Sequence, residues 1–373
     1  MHQLRRYGFV GLLLMASVVL RAAGTLTELS YAKNLTIEHL ETHKLITVKH
    51  AWRGSKAVFE YALVPKGATI PEGLPKEALI IRTPVERVVL MSTVFIGYVE
   101  VLDGLDRICG VAHPELVNNR TVLDGLENGT ITGVQSGQAI DVERMLLMQP
   151  DLIISSSTGD PVFDLHSQLI RSKLPVVLSA GYMEGHPLAR SEWVKFIAAF
   201  FDLEVKAEAA FAEVATKYEA LVAQAKTVKT RPRVLSGAPF SGTWYIAGGQ
   251  SYTAKGIRDA GGDYLWAEDG SSGGIPLDLE TVFLKGWDAD IWIHPSHYRT
   301  KAELLAADER FGRFEAAKGG AVFNNTKRVG SGGGNEIWER GVAHPEEVIA
   351  DLMKIFHPEL MAGHEFVFYE QLN

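Results

Sequence analysis

Along residues 83–187, short runs of uninterrupted apolar residues alternate with stretches of helical period. Val88-Val89-Leu90-Met91, Ile108-Cys109-Gly110-Val111, Leu152-Ile153-Ile154 and Val176-Val177-Leu178 are such runs. Between the first two, Val94, Tyr98, Val101 and Leu102 recur at helical spacing. Strands buried on both faces read as continuous apolar segments, and helices between them imply a parallel sheet. Residues 230–373 repeat the texture, with strands predicted at Arg233-Val234-Leu235-Ser236, Asp290-Ile291-Trp292-Ile293 and Ala321-Val322-Phe323. A helix is expected over 254–260 and a closing helix over 345–356. Between the blocks, Trp193, Phe196, Ile197 and Phe200 share one helical face. Asp202 is placed to cap a second helix carrying Leu203, Ala207, Phe211, Val214, Tyr218 and Leu221 at i, i+3 and i+4 steps. That helix, running to Lys226, would be about 35 Å long, enough to join two lobes, and Pro232 ends the region. Residues 25–82 differ again: Leu45-Ile46-Thr47-Val48 and Val58 to Val64 are β-rich runs flanking a turn at Trp52-Arg53-Gly54-Ser55.

The pattern predicts an α/β protein of two Rossmann-like lobes joined by a long helix, with a small β meander packed on the first lobe. The divisions fall at 1–24, 25–82, 83–187, 188–229 and 230–373. A chain of 373 residues is too long for one ordinary domain, and 46% apolar with 22% charged residues suits a real core.

The first 24 residues read as an address. Arg5 and Arg6 precede an apolar run from Phe9 to Leu20, and Ala22-Ala23-Gly24 offers small residues for cleavage. The run is short for a bilayer span, so a signal peptide and an extracytoplasmic location are expected. The net charge of −8 argues against a nucleic-acid partner. The single cysteine, Cys109, allows no intrachain disulfide and reads as a buried thiol; no cysteine follows the signal to carry a lipid. No phosphate loop or nucleophile elbow is present, so no enzymatic activity is expected.

An internal echo links the blocks. Asp141-Val142-Glu143 opens an amphipathic helix that leads to a strand at Asp151, and Asp278-Leu279-Glu280 opens another that leads to a strand at Asp290. With Pro84-Val85-Glu86-Arg87-Val88-Val89, Asp106 to Val111, Leu174 to Val177, Pro232 to Leu235 and Ala260-Gly261-Gly262, the ordered set resembles the periplasmic binding proteins of ABC importers for iron–siderophore, haem and cobalamin. The resemblance spans residues 83–360. It implies a periplasmic, monomeric receptor with no permanent cofactor, a membrane permease as partner, and a docking glutamate on each lobe at Glu143 and Glu280. The implied ligand is an iron chelate, siderophore or haem, with cobalamin as the alternative and direct zinc or manganese binding as a second.

In such folds the ligand sits outside the C-terminal ends of the strands. Loop residues there give Ser92, Thr93 and His113 in the first lobe. The second lobe offers Trp244, Tyr245, His294, His297, Tyr298, Trp338 and Arg340. Aromatic rings plus arginine suit a large, flat, partly anionic ligand. His294 and His297 have a spacing compatible with shared metal ligation, but a closed site needs more ligands, and the zinc and manganese relatives have a histidine after the first strand that this chain lacks. No resident metal is therefore expected. Axial haem ligation by His113, His294, His297 or Tyr298 stays open.

Overall fold

A computed structural model describes residues 24–137, 139–160, 164 and 166–373. The segment read as a signal peptide, apart from Gly24, lies outside them. The first lobe holds a sheet in the order Val176–Leu178, Leu152–Ser155, Val88–Leu90, Ile108–Ala112, Thr132–Ser136, Ala139–Ile140. All its pairings are parallel except the last. Four of these strands are the apolar runs. Thr132–Ser136 was not anticipated, because only Val134 in it is fully buried and the rest is polar or glycine.

The second lobe has the order Asp263–Tyr264, Arg233–Ser236, Ile291–Ile293, Val322–Asn324, Glu370–Gln371, antiparallel only at the last pair. It also carries a three-stranded antiparallel sheet, Pro239–Phe240, Thr243–Ala247 and Gly274–Leu277, whose first two strands fall where loop residues were expected. Its middle strand buries Trp244 and Ile246 on one face and exposes Tyr245 on the other, the period-2 pattern of a half-buried strand.

The helices Val194–Phe201 and Glu204–Ala225 form the connector. The long helix buries Ala207, Phe211, Val214 and Tyr218, packing on Val194–Phe201 at one side and on Pro345–Phe356 of the second lobe. Asp202 does not cap it. Asp202 lies in the left-handed region, φ 56°, where it ends the preceding helix, and its carboxylate pairs with Lys44 at 2.6 Å. Leu203 takes the cap position without a side-chain bond.

The N-terminal extension is a five-stranded sheet rather than a simple meander: Thr25–Leu26, Leu35–His39, Lys44–Lys49, Val58–Pro65, Leu79–Thr83. Its last pair is parallel, because residues 66–78 carry the chain back to the sheet's starting end. Two buried carboxylates tie the extension to the first lobe. Glu192, fully buried, accepts the N–H groups of Ser30, Tyr31 and Ala32 at 2.8–2.9 Å and pairs with Lys195 at 3.3 Å. Glu184 accepts those of Lys33 and Asn34 at 3.0 Å. The extension also reaches further than expected: Trp52 packs on Gly159 of the first lobe and the Arg53 guanidinium on Gly273 of the second.

Removing one partner from a buried charged network leaves uncompensated groups. Glu192→Ala should therefore destabilise the protein by about 3–5 kcal/mol in urea denaturation, with residues 30–34 losing amide protection in hydrogen exchange. Glu192→Gln should cost less, because its carbonyl can still accept backbone bonds.

Candidate functional site

The lobes meet along a backbone seam. The glycine-rich loop at 330–334 lies against the first-lobe segment 115–118. A Cβ at Gly332 would collide with the carbonyl oxygen of Glu115, and one at Gly334 with that of Leu116. Gly97, in the helix Val94–Val101, meets the carbonyl of Glu339 in the same way. The Glu339 side chain, 3% exposed, accepts the Asn118 N–H at 2.9 Å across the seam. Burial pushes its carboxyl up to about 7, against the backbone donors of Asn118 and Asn119 and with the help of Glu336 and Glu100.

Beside the seam lies a cavity of about 630 Å³. Its walls come from Pro187 and Arg190 ahead of the connector, Tyr218 on the long helix, and the second lobe, with Ile337, Val342 and Val348 supplying apolar surface. Tyr245 and Trp338, 57% and 43% exposed, line it as large aromatic faces with open sides. A smaller recess of about 90 Å³ is lined by Ser92, Phe95, Tyr98, Ser156, Ser179, Tyr182 and Arg190.

Of the residues expected to meet ligand, Tyr245, His294, His297 and Trp338 line the cavity and Ser92 the recess. The others line neither. Thr93 opens the helix Val94–Val101. His113 pairs with Glu115 at 3.2 Å. Trp244 is fully buried, stacked on Trp292 with centroids 5.6 Å apart and donating its Nε1–H to the Ser236 carbonyl. An aromatic flanked by turn residues in sequence is thus part of the core, because the strand pleat turns it inward. The Tyr298 ring lies beside His297, and its carbonyl accepts from Asn324 at 2.7 Å. Arg340 forms a two-pronged pair with Glu347, at 3.0 and 2.6 Å, so its charge is already met.

His294 lines the cavity yet has both ring nitrogens engaged. Nδ1 lies 3.4 Å from the Ser236 hydroxyl, and Nε2 bonds the Tyr369 hydroxyl. Burial lowers its pKa to about 4, so it is neutral at physiological pH. Such an imidazole has no free nitrogen for a metal. Among the described residues no three of His, Cys, Asp or Glu gather as a metal site.

The residue not anticipated is Arg190. It is 8% exposed, its guanidinium lies over the Tyr252 ring at 4.1 Å, and its Nε is buried without a hydrogen-bond partner. A signal was present in the sequence: Arg190, Glu192 and Lys195 interrupt an otherwise apolar helical stretch, and all three are buried.

Glu143 and Glu280 occupy matching exposed positions on the two lobes. Each lies in the first turn of its helix, Val142–Met148 or Leu279–Gly286. Asp141 caps the first by accepting the Arg144 N–H at 2.9 Å, and Asp278 the second by accepting that of Thr281 at 2.6 Å. Glu280 also pairs with Arg310 at 3.0 Å.

A family model for periplasmic binding proteins matches residues 92–329. The chain belongs to the periplasmic binding protein family. Periplasmic binding proteins of this group are the solute-binding components of ABC importers, which bind small molecules and work with a permease. Among solved structures, the chain is similar to a periplasmic heme binding protein from Pseudomonas aeruginosa (TM-score 0.57, 18% identity, covering 78% of this chain and 98% of that one). It is also similar to an ABC-type Fe3+-hydroxamate transport system protein from Saccharomonospora viridis (TM-score 0.54, 15% identity, 72% and 93% covered). At such identities the likeness is one of fold. A relative in Methanocaldococcus jannaschii, an uncharacterized lipoprotein, is 25% identical over 92% of this chain and 85% of its own length. In the present chain the sole cysteine, Cys109, is buried in a central strand. Among the described residues no helix is long and apolar enough to cross a membrane.

The raised Glu339 carboxyl gives the seam a pH dependence. Opening the lobes returns this group toward its ordinary value of 4.5, whereas the closed seam holds it near 7. The seam is thus strongest below about 4.5 and weakens as pH rises through about 7. Distances between labels on the two lobes should lengthen over that interval in the wild type and stay level in Glu339→Gln.

Proposed function

We propose that this chain is the extracytoplasmic receptor of an ABC importer for an iron chelate, siderophore or haem, which it holds between its lobes and passes to a permease. The observation that carries the reading is the cavity of about 630 Å³. Its size falls within the range of sites for small organic ligands. Tyr245 and Trp338 present flat apolar area with a polar edge, suited to a planar or ring-rich ligand.

Delivery is assigned to Glu143 and Glu280. One carboxylate per lobe registers the positions of both lobes on a single partner, and exposed charges of this kind govern orientation and encounter rate. The long connector helix limits lobe movement, so capture involves modest closure about the seam rather than a wide hinge motion.

Titration of the purified protein with haem, ferric siderophores and cobalamin, followed by absorbance, tests the ligand class. A saturable one-to-one change is expected with an iron chelate; a response to cobalamin alone would replace iron by a corrinoid. For the chelate that binds, Trp338→Ala should weaken affinity about tenfold. The double reversal Glu143→Lys with Glu280→Lys should leave binding intact and abolish uptake. Uptake that survives the double reversal would remove the docking assignment.

A further inference from the structure

We infer that the ligand carries an oxyanion, a carboxylate or its planar equivalent, and that Arg190 with the Ser92 and Ser179 hydroxyls is built to receive it. The inference rests on the reading of the cavity as a solute site and names a chemical class for the solute.

The unusual state of Arg190 is the starting point. Buried guanidinium groups are costly unless paired and fully hydrogen-bonded. Glu192, two residues on, obeys that rule, since it pairs with Lys195 and with three backbone N–H groups. Arg340, across the seam, is satisfied by Glu347. Arg190 has no Asp or Glu carboxylate at ion-pair distance among the described residues, and its Nε is buried without a partner. The Tyr252 ring, 4.1 Å from the guanidinium carbon, gives it a face to rest on but accepts none of its in-plane N–H bonds. The backbone beneath is fixed, because the Tyr98 hydroxyl donates to the Arg190 carbonyl at 2.6 Å.

The surroundings fit an anion. Arg190 is the one residue shared by the linings of the 630 Å³ cavity and the 90 Å³ recess. In the recess, the Ser92 hydroxyl oxygen accepts the Val94 N–H at 3.4 Å, and that of Ser179 accepts the Gly181 N–H at 3.2 Å. Each hydroxyl keeps its own proton to donate. The recess is too small for a chelate but suits one carboxyl group. A ligand whose apolar body lies against Tyr245 and Trp338 can therefore place an oxyanion on the guanidinium fork, whose geometry matches two oxygens at once.

The test uses the full chain and separates this inference from the choice of iron chelate. Citrate, compared with chloride at matched ionic strength, should raise the wild-type melting temperature, and R190Q should abolish the rise. R190K, which keeps the charge but loses the fork, should retain a reduced response. Protoporphyrin IX should bind the wild type about tenfold or more tightly than its dimethyl ester, whereas R190Q should not distinguish them. Ligand-free R190Q should melt at or above the wild-type temperature, since it loses an unpaired buried charge; an arginine with a merely structural role would lower it. The inference is overturned if R190Q retains the citrate response, if the ester binds the wild type as well as the acid, or if ligand-free R190Q and R190K both melt well below the wild type. A citrate response that depends on Arg190, with every iron chelate failing to bind, would uphold the anion site and remove the chelate reading. Chelate binding that R190Q leaves unchanged would do the reverse.

Discussion

A helix of 22 residues, Glu204–Ala225, cannot bend between two states as a flexible loop can, because each turn is held by its own hydrogen-bond ladder. Its buried face, Ala207, Phe211, Val214 and Tyr218, packs on Val194–Phe201 of the first lobe's side and Pro345–Phe356 of the second. The Tyr218 hydroxyl adds a bond to Asp259 of the second lobe at 2.8 Å. Both lobes are therefore positioned from a common rigid edge, and Tyr218 itself becomes part of the cavity wall. The cavity lies beside that edge, walled by Pro187, Arg190, Tyr218 and the second lobe.

Buried charge serves two different ends in this molecule. Glu192 holds residues 30–32, and Asp351, fully buried, accepts the N–H groups of Val367, Phe368 and Tyr369 and bonds His364 at 2.6 Å. Both carboxylates are saturated with donors, and each fastens a peripheral segment to a lobe. Arg190 is also buried but lacks a carboxylate partner among the described residues. A buried guanidinium without a carboxylate partner, in the lining of both the cavity and the recess, contrasts with these saturated groups.

The seam accounts for two glycines of the 330–334 loop and for Gly97 opposite it. At Gly332, Gly334 and Gly97 the partner atoms are carbonyl oxygens from the opposing lobe, and any Cβ would drive the lobes apart. These glycines allow backbone to approach backbone, and the burial of Glu339 follows from that approach. The contact between the lobes itself is what buries the Glu339 carboxyl and raises its pKa.

Local sequence determined the apolar strands of the two lobe sheets, the long connector and the matched Asp-capped helices bearing Glu143 and Glu280. Each is written in a period, an apolar run or a cap that neighbouring residues supply. It also determined the class of protein, because the order of those pieces survives where individual residues do not. Tertiary structure alone decided which candidates line the cavity. Tyr245 and Trp244 are adjacent, yet the pleat sends one to the cavity and the other to the core; Arg340 and Arg190 carry the same group, yet only the first meets a carboxylate. Whether a charge is satisfied depends on what distant segments bring beside it, and that is a property of the folded chain.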